Sequence, residues 1–235
     1  MTGAAAVPER IRELRLLASG VCVLELGAGT GPATEQLLSA GAAVTAVEPG
    51  RSLADRLTRR CPDARVVVAR AEDFDMGERQ YDLAVAATSV HWLDLGCVLP
   101  KLRRALVAGG HFAVWRNAFG DPTRRSPFRE RVDEIVARRD GEVDRGVPGE
   151  LDTQAWVDRL ASSGEFSAVH VDHFRWSIDL TAERIHDLFS TFSEWTADKV
   201  DATAAAVRQL GGVVTEHYVT PLIVLRSQDE RGGPG

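Results

Sequence analysis

A chain of 235 residues, 44% of them hydrophobic, can fill one sizeable core and has the length of a single large domain. Its formal net charge of −6 weighs against a nucleic-acid partner, whose phosphates reward a basic surface. No apolar run is long enough to span a bilayer, the stretch up to Gly20 lacks the basic-then-apolar order of a secretory leader, and Cys22, Cys61 and Cys97 fit neither a disulfide framework nor a zinc site, so a soluble, reduced, cytoplasmic protein without membrane or nucleic-acid partners is expected.

"VCVLEL", Val21 to Leu26, is a short apolar run between glycines and suits a buried parallel strand. It runs into "GAGTG", after which Pro32 and "ATEQLL" open a helix; proline is at home in a first helical turn, where its missing N–H has no partner to lose. Gly41 stops that helix. "AAVTAV", Ala42 to Val47, predicts a second strand ending at Glu48-Pro49-Gly50, and "SLADRLTRRC" a second helix. "ARVVVA" and "YDLAVAA" predict the third and fourth strands. A helix is expected over Leu95 to Leu106, with Pro100 inside it leaving open a start later than Leu95; Gly109-Gly110 then turns the chain into a fifth strand, His111 to Trp115. Strands alternating with helices in this way predict an open parallel sheet with helices on both faces and right-handed crossovers.

After Trp115 the rhythm breaks. Residues 117–150 are charged and helical in the middle, with Phe128, Val132, Ile135 and Val136 as an apolar stripe; the segment reads either as a lid over the strand ends or as a plain surface helix. "DTQAWVDRLASSG", "TAERIHDLFSTF" and "ADKVDATAAAVRQLGG" predict helices, while "FSAVHVDHFRWSIDL" and "HYVTPLIVLR" predict strands. A single domain over 1–235 is expected, with a core of 1–116, the insertion at 117–150, a part completing the sheet at 151–226 and a disordered tail at 227–235.

The glycine loop asks for a ligand. A phosphate-binding loop needs Lys and Ser or Thr after its last glycine, where this chain has Pro32 and Ala33. A dinucleotide fingerprint places its third glycine three positions beyond the second, again at Pro32, which disfavours a nicotinamide oxidoreductase, as does the lack of a Tyr-x-x-x-Lys pair. "ELGAGTG", Glu25 to Gly31, instead resembles the first motif of class I S-adenosylmethionine-dependent methyltransferases. Glu48, ending the second strand about twenty residues on, stands where a carboxylate meets ribose hydroxyls. "ARAEDF" resembles the turn that reads adenine in that family, with Glu72 accepting from the amino group, a backbone N–H at Ala71, and Asp73 as the competing acid. The alternative for both Glu48 and Glu72 is a merely polar strand end.

"YDLAVAATSVHWLD" resembles a small-molecule subgroup with a His-Trp pair, similar to trans-aconitate methyltransferases. The likeness implies a Rossmann-like sheet, mostly parallel with an antiparallel last strand, and S-adenosyl-L-methionine held by Glu25, Gly27, Ala28, Gly29, Gly31, Glu48, Pro49, Ala71, Glu72 and Thr88. The family reaction is an in-line displacement at the methyl carbon, with the acceptor in contact and in line. Carboxyl or hydroxyl methylation of a small molecule is the first reading; N-methylation of a small molecule or peptide and a non-catalytic cofactor-binding protein are the alternatives. His91 is the candidate general base, since an unperturbed imidazole titrates near neutrality, or else orients the substrate or simply packs. Trp92 is a candidate pocket wall, and Arg116 and Arg124 are candidates to grip a substrate carboxylate. His111 is set aside as lying at the amino end of its strand, and no metal-ligand spacing is found among the remaining histidines.

Overall fold

The computed structural model describes residues 3–137, 149, 151–191 and 195–228. These pack as two compact units. The larger holds Ala4–Asn117, the stretch ending at Phe174 and the stretch from Thr220 onward; the smaller holds the segment from Ala118 and Arg175–Val219.

In the larger unit, α1 (Gly3–Glu13) precedes β1 (Cys22–Leu26), α2 (Pro32–Ser39), β2 (Ala43–Val47), α3 (Arg51–Arg60), β3 (Arg65–Val67), β4 (Tyr81–Ala87), α4 (Leu95–Ala105) and β5 (Leu106–Trp115). α6 (Thr153–Ala161) and parts of β7 (Phe166–Thr181) and β8 (Val213–Ser227) complete it. The strand order is β3-β2-β1-β4-β5-β8, with β7 on the other side of β8. β1 to β5 pair in parallel and β8 runs antiparallel to β5. Apolar clusters cover both faces of the sheet, which is why Val23, Leu24, Leu26, Leu83 and Val85 are wholly buried and read as continuous apolar runs. The strand order reverses between β1 and β4, so their carboxyl ends flank the crevice where ligands bind in such sheets.

In the smaller unit, β6 (Ala118–Phe119) pairs with β8 at Val219 and Tyr218. α5 (Pro127–Ala137), α7 (Ala182–Phe189) and α8 (Ala197–Gln209) surround a separate core built from Phe128, Val132, Ile185, Phe189, Val200 and Val207. Of the stripe expected on α5, Phe128 and Val132 are buried, whereas Val136 is exposed. The expected lid is described as far as Ala137 and at Gly149; residues 138–148 and 150, and the expected tail from 229, lie outside the described residues.

Three elements differ from the sequence expectation. α4 starts at Leu95 despite Pro100, because Asp94 caps it: its Oδ1 accepts from the N–H groups of Gly96 at 3.0 Å and Cys97 at 3.4 Å. β5 begins at Leu106, and Gly109-Gly110 is an irregularity inside it rather than its start: Tyr81 pairs with Leu106 and Leu83 with His111, so extra residues of β5 bulge out at Gly109, whose φ is +69°. His111 consequently lies inside its strand, not at the amino end. α1 carried no sequence signal of its own, yet it buries Val7 and Ile11 completely.

Candidate functional site

The glycine loop leaves β1 at the order reversal, and each glycine has its own reason. Gly27 (φ +70°) lies against Ser89, where a Cβ would come within 2.6 Å of the serine's own Cβ. Gly31 (φ +88°) lies against α3, where a Cβ would meet Leu57 at 2.5 Å. Gly29 (φ +59°) differs, since a Cβ there would meet no protein atom within 4 Å. Two of the glycines therefore serve packing, and the middle one borders open space.

Most of the loop's N–H groups are already engaged. Those of Gly27 and Ala28 donate to the Val47 carbonyl at 2.8 and 3.2 Å, and that of Gly31 to Ala28 at 3.0 Å. The Gly29 N–H donates to Glu48 Oε2 at 2.9 Å, while Glu48 Oε1 accepts from Gly50 at 2.8 Å. Glu48, buried at the end of β2, thus staples the loop to the turn after β2. Its neighbour Pro49 is exposed. Each carboxylate oxygen keeps a further lone pair for a sugar hydroxyl.

Glu25 is almost wholly buried. Its Oε2 accepts from the Thr34 hydroxyl at 2.6 Å, and its Oε1 has no partner. Burial pushes the carboxyl up to about 7, against a smaller opposing effect of Thr34. An orphaned buried oxygen beside a loop that faces open space fits a ligand carrying a cationic donor, and a zwitterionic sulfonium cofactor is of that kind.

On the neighbouring turn, Ala71 is buried, Glu72 partly buried and Asp73 exposed. Glu72 is committed within the protein: Oε1 accepts from the Asp94 N–H at 2.9 Å and Oε2 from Arg70 at 3.3 Å. Burial works to raise this carboxyl, but the hydrogen bonds outweigh it and hold it below the usual carboxylate range. After β4, Thr88 sits at φ +59°, a strained conformation for a β-branched residue, fixed by its N–H donating to the Trp115 carbonyl at 2.7 Å.

His91 lies on the one-turn 3-10 helix Val90–Trp92. Its Nδ1 is buried without a partner. Burial, and next the nearby charge of Arg116, press its pKa down to about 4, away from the neutral range expected of it. Trp92, with ring centroids 4.9 Å from His91, is 69% exposed. A small, mainly apolar cleft beside this turn is lined by Val90, Trp115, Arg116, Thr153, Trp156 and Pro221. The sheet thus gathers Glu25, Gly27, Ala28, Gly29, Gly31, Glu48, Pro49, Ala71, Glu72, Thr88, His91, Trp92 and Arg116 in the larger unit, all following or ending its strands. Arg124 belongs to the smaller unit, exposed, with its Nη1 3.5 Å from the Ser177 hydroxyl.

Three participants escaped the sequence reading. Thr34 holds Glu25, the Ser89 hydroxyl donates to the Leu26 carbonyl at 2.6 Å, and Lys101 donates to the carbonyls of Glu72 and Ala71 at 2.6 and 3.4 Å. Ser89 and Lys101 act on backbone oxygens far away in sequence, for which no spacing rule gives a signal. Among the described residues no group of three or more His, Cys, Asp or Glu is placed to hold a metal ion, and no helix is long and apolar enough to cross a membrane.

Residues 23–110 match a family described as a methyltransferase domain. An uncharacterized methyltransferase of Mycobacterium tuberculosis is 29% identical over 79% of this chain and 70% of its own. Among solved structures, a protein described as a type II methyltransferase from Anaeromyxobacter dehalogenans superposes with a TM-score of 0.68 at 22% identity, covering 94% of this chain and 95% of that one. Geranyl diphosphate C-methyltransferase from Streptomyces coelicolor, solved with S-adenosyl-L-homocysteine, gives 0.53 at 16% identity over 95% and 77%. With a Rossmann-like sheet, a glycine loop at its order reversal and a methyltransferase domain across both, this chain is an S-adenosylmethionine-dependent methyltransferase.

Proposed function

We propose that the enzyme methylates an oxygen of a small-molecule acceptor, and that this oxygen belongs to a carboxylate. The observation that carries the reading is His91 beside Arg116 at the ends of β4 and β5. An imidazole pressed down to about 4 is neutral near pH 7 and a feeble base. It is poorly matched to removing the proton of an alcohol, so an acceptor that is anionic without help suits it best. Arg116 supplies the positive charge that draws such an anion and can hold it through two parallel N–H donors. Neutral His91 can then accept or donate one hydrogen bond, according to tautomer, and orient the acceptor without taking its proton. Trp92 supplies an exposed aromatic face beside it.

S-adenosylmethionine supplies an electrophilic methyl group on a sulfonium. In this reading Glu25 and Gly29 lie at its amino-acid end, Glu48 at its sugar and the Ala71–Asp73 turn at its base, with Gly27, Ala28, Gly31, Pro49 and Thr88 shaping the cradle, all within the core of 1–116. The acidic overall balance supports a small acceptor over nucleic acid. The test is methyl transfer from labelled cofactor to a panel of small carboxylic acids, alcohols and amines. A product that releases methanol on mild alkaline treatment is expected, as an ester must. Transfer only to amines or alcohols, giving alkali-stable products, overturns the proposal.

A further inference from the structure

One stretch of the chain runs against its overall charge. Residues 51–70, which hold α3 and β3, carry six arginines against two aspartates in a protein of formal net charge −6. β3 is the last strand of the sheet on this side. α3 turns Ala54 and Leu57 inward and leaves Arg51, Asp55, Arg56, Arg59 and Arg60 exposed. Arg60 pairs with Glu35 at 2.6 Å and Arg70 with Glu72 at 3.3 Å. Arg51, Arg56, Arg59 and Arg65 are exposed and form no ion pair among the described residues.

Helix stability accounts for part of this pattern. Arg59 and Arg60 end α3, where positive charge complements the helix dipole, but Arg51 opens it, where positive charge is unfavourable and the first turn holds no acid to offset it. Arg56 and Arg59, three apart, are neighbours on the outer face and repel each other. Leu53, three residues before Arg56 and so beside it, is exposed, as is Val68 just past β3. Like charges gathered in this way raise the free energy of the free protein, and a surface of opposite sign recovers it. The apolar side chains among the arginines favour a protein over a nucleic acid, whose phosphates would leave them uncovered, and the acidic remainder of the chain repels a polyanion. We propose that the outer face of α3, with Arg51, Leu53, Arg56 and Arg59, docks a partner protein that presents Asp or Glu side chains around an apolar residue. Each guanidinium offers two parallel N–H donors to a carboxylate, and the partner's apolar residue covers Leu53. This face shares no residue with the glycine loop or with the turn of His91, so its occupation decides where the enzyme is held and not the methyl transfer itself.

The experiment is fluorescence anisotropy with a labelled amphipathic helical peptide of glutamate and leucine, its glutamine-for-glutamate counterpart and a single-stranded oligodeoxynucleotide. The full chain is used as wild type, as Arg56→Glu with Arg59→Glu, as Leu53→Ser, and as Arg131→Glu with Arg184→Glu, which makes the same change in net charge at exposed positions outside α3. Wild type is expected to bind the acidic peptide about tenfold or more tightly than its counterpart, a preference that fades in high salt. Arg56→Glu with Arg59→Glu is expected to lose about tenfold or more in affinity, Leu53→Ser a few-fold, and the control pair little. Affinity for S-adenosylhomocysteine and circular dichroism melting, both expected to stay at wild-type values, check that each variant is folded. A wild type that does not distinguish the two peptides, or a control pair that loses as much as the α3 pair, overturns the proposal. An oligonucleotide bound more tightly than the acidic peptide overturns the choice of a protein partner.

Discussion

Gly29 separates space for a ligand from space for the protein. Its Cβ position is open, whereas those of Gly27 and Gly31 are filled by Ser89 and Leu57. Gly29→Ala is expected to cost about 1–2 kcal/mol of stability, the price of an L side chain at positive φ, and a disproportionately larger share of affinity for S-adenosylhomocysteine, read by calorimetry beside a melting curve. Glu48 gives a less clean test, because its carboxylate holds the N–H groups of Gly29 and Gly50, so its removal loosens the loop as well as any sugar contact of the kind proposed for it. His91 offers a titration. Its ring is expected to titrate near pH 4, and Arg116→Gln to move the midpoint upward, still short of an ordinary imidazole because burial remains. Proton NMR of the imidazole checks both. The sequence exposed Glu25, Glu48 and the glycines because each stands at a strand end in a recognisable order. It could not show that Glu48 also staples the loop, nor that burial, with the charge of Arg116 second, takes His91 out of the neutral range, since both depend on through-space neighbours.

Among the elements, α4 shows why boundaries were harder to read than strands. Pro100 argued for a late start, but Asp94 supplies two N–H groups with an acceptor and the helix begins at once. Asp94→Ala is expected to cost about 1 kcal/mol in chemical denaturation. The buried strands were legible because both faces of the sheet are covered, leaving unbroken apolar runs such as "VCVL" and "LAVAA". The start of β5 was not, because a bulge needs the same glycines as a turn. β6 is two residues long and has no pattern to read, and α1 is rich in small residues with Pro8 inside, so its buried Val7 and Ile11 look incidental in sequence.

For the molecule as a whole, the buried acid Glu25 sets a pH dependence. In the unfolded chain it parts with its proton near 4.5, whereas in the folded chain it keeps it to about 7. The folded state binds more protons across that window, so this group's contribution falls as pH rises from about 4.5 to about 7 and is level above. Glu25→Gln is expected to remove that fall, on the order of 3 kcal/mol, in denaturation curves at pH 4.5 and pH 8. Glu216, buried in the smaller unit and likewise pushed up to about 7 by desolvation, adds a slope of the same sign that survives the Glu25 change. Glu25 has one more consequence. A binding partner that brings an ammonium or sulfonium near it drives its remaining proton into solution. Heats of association at pH 7 would then differ between phosphate and Tris by the ionisation enthalpies of the buffers, and Glu25→Gln would make the two heats agree.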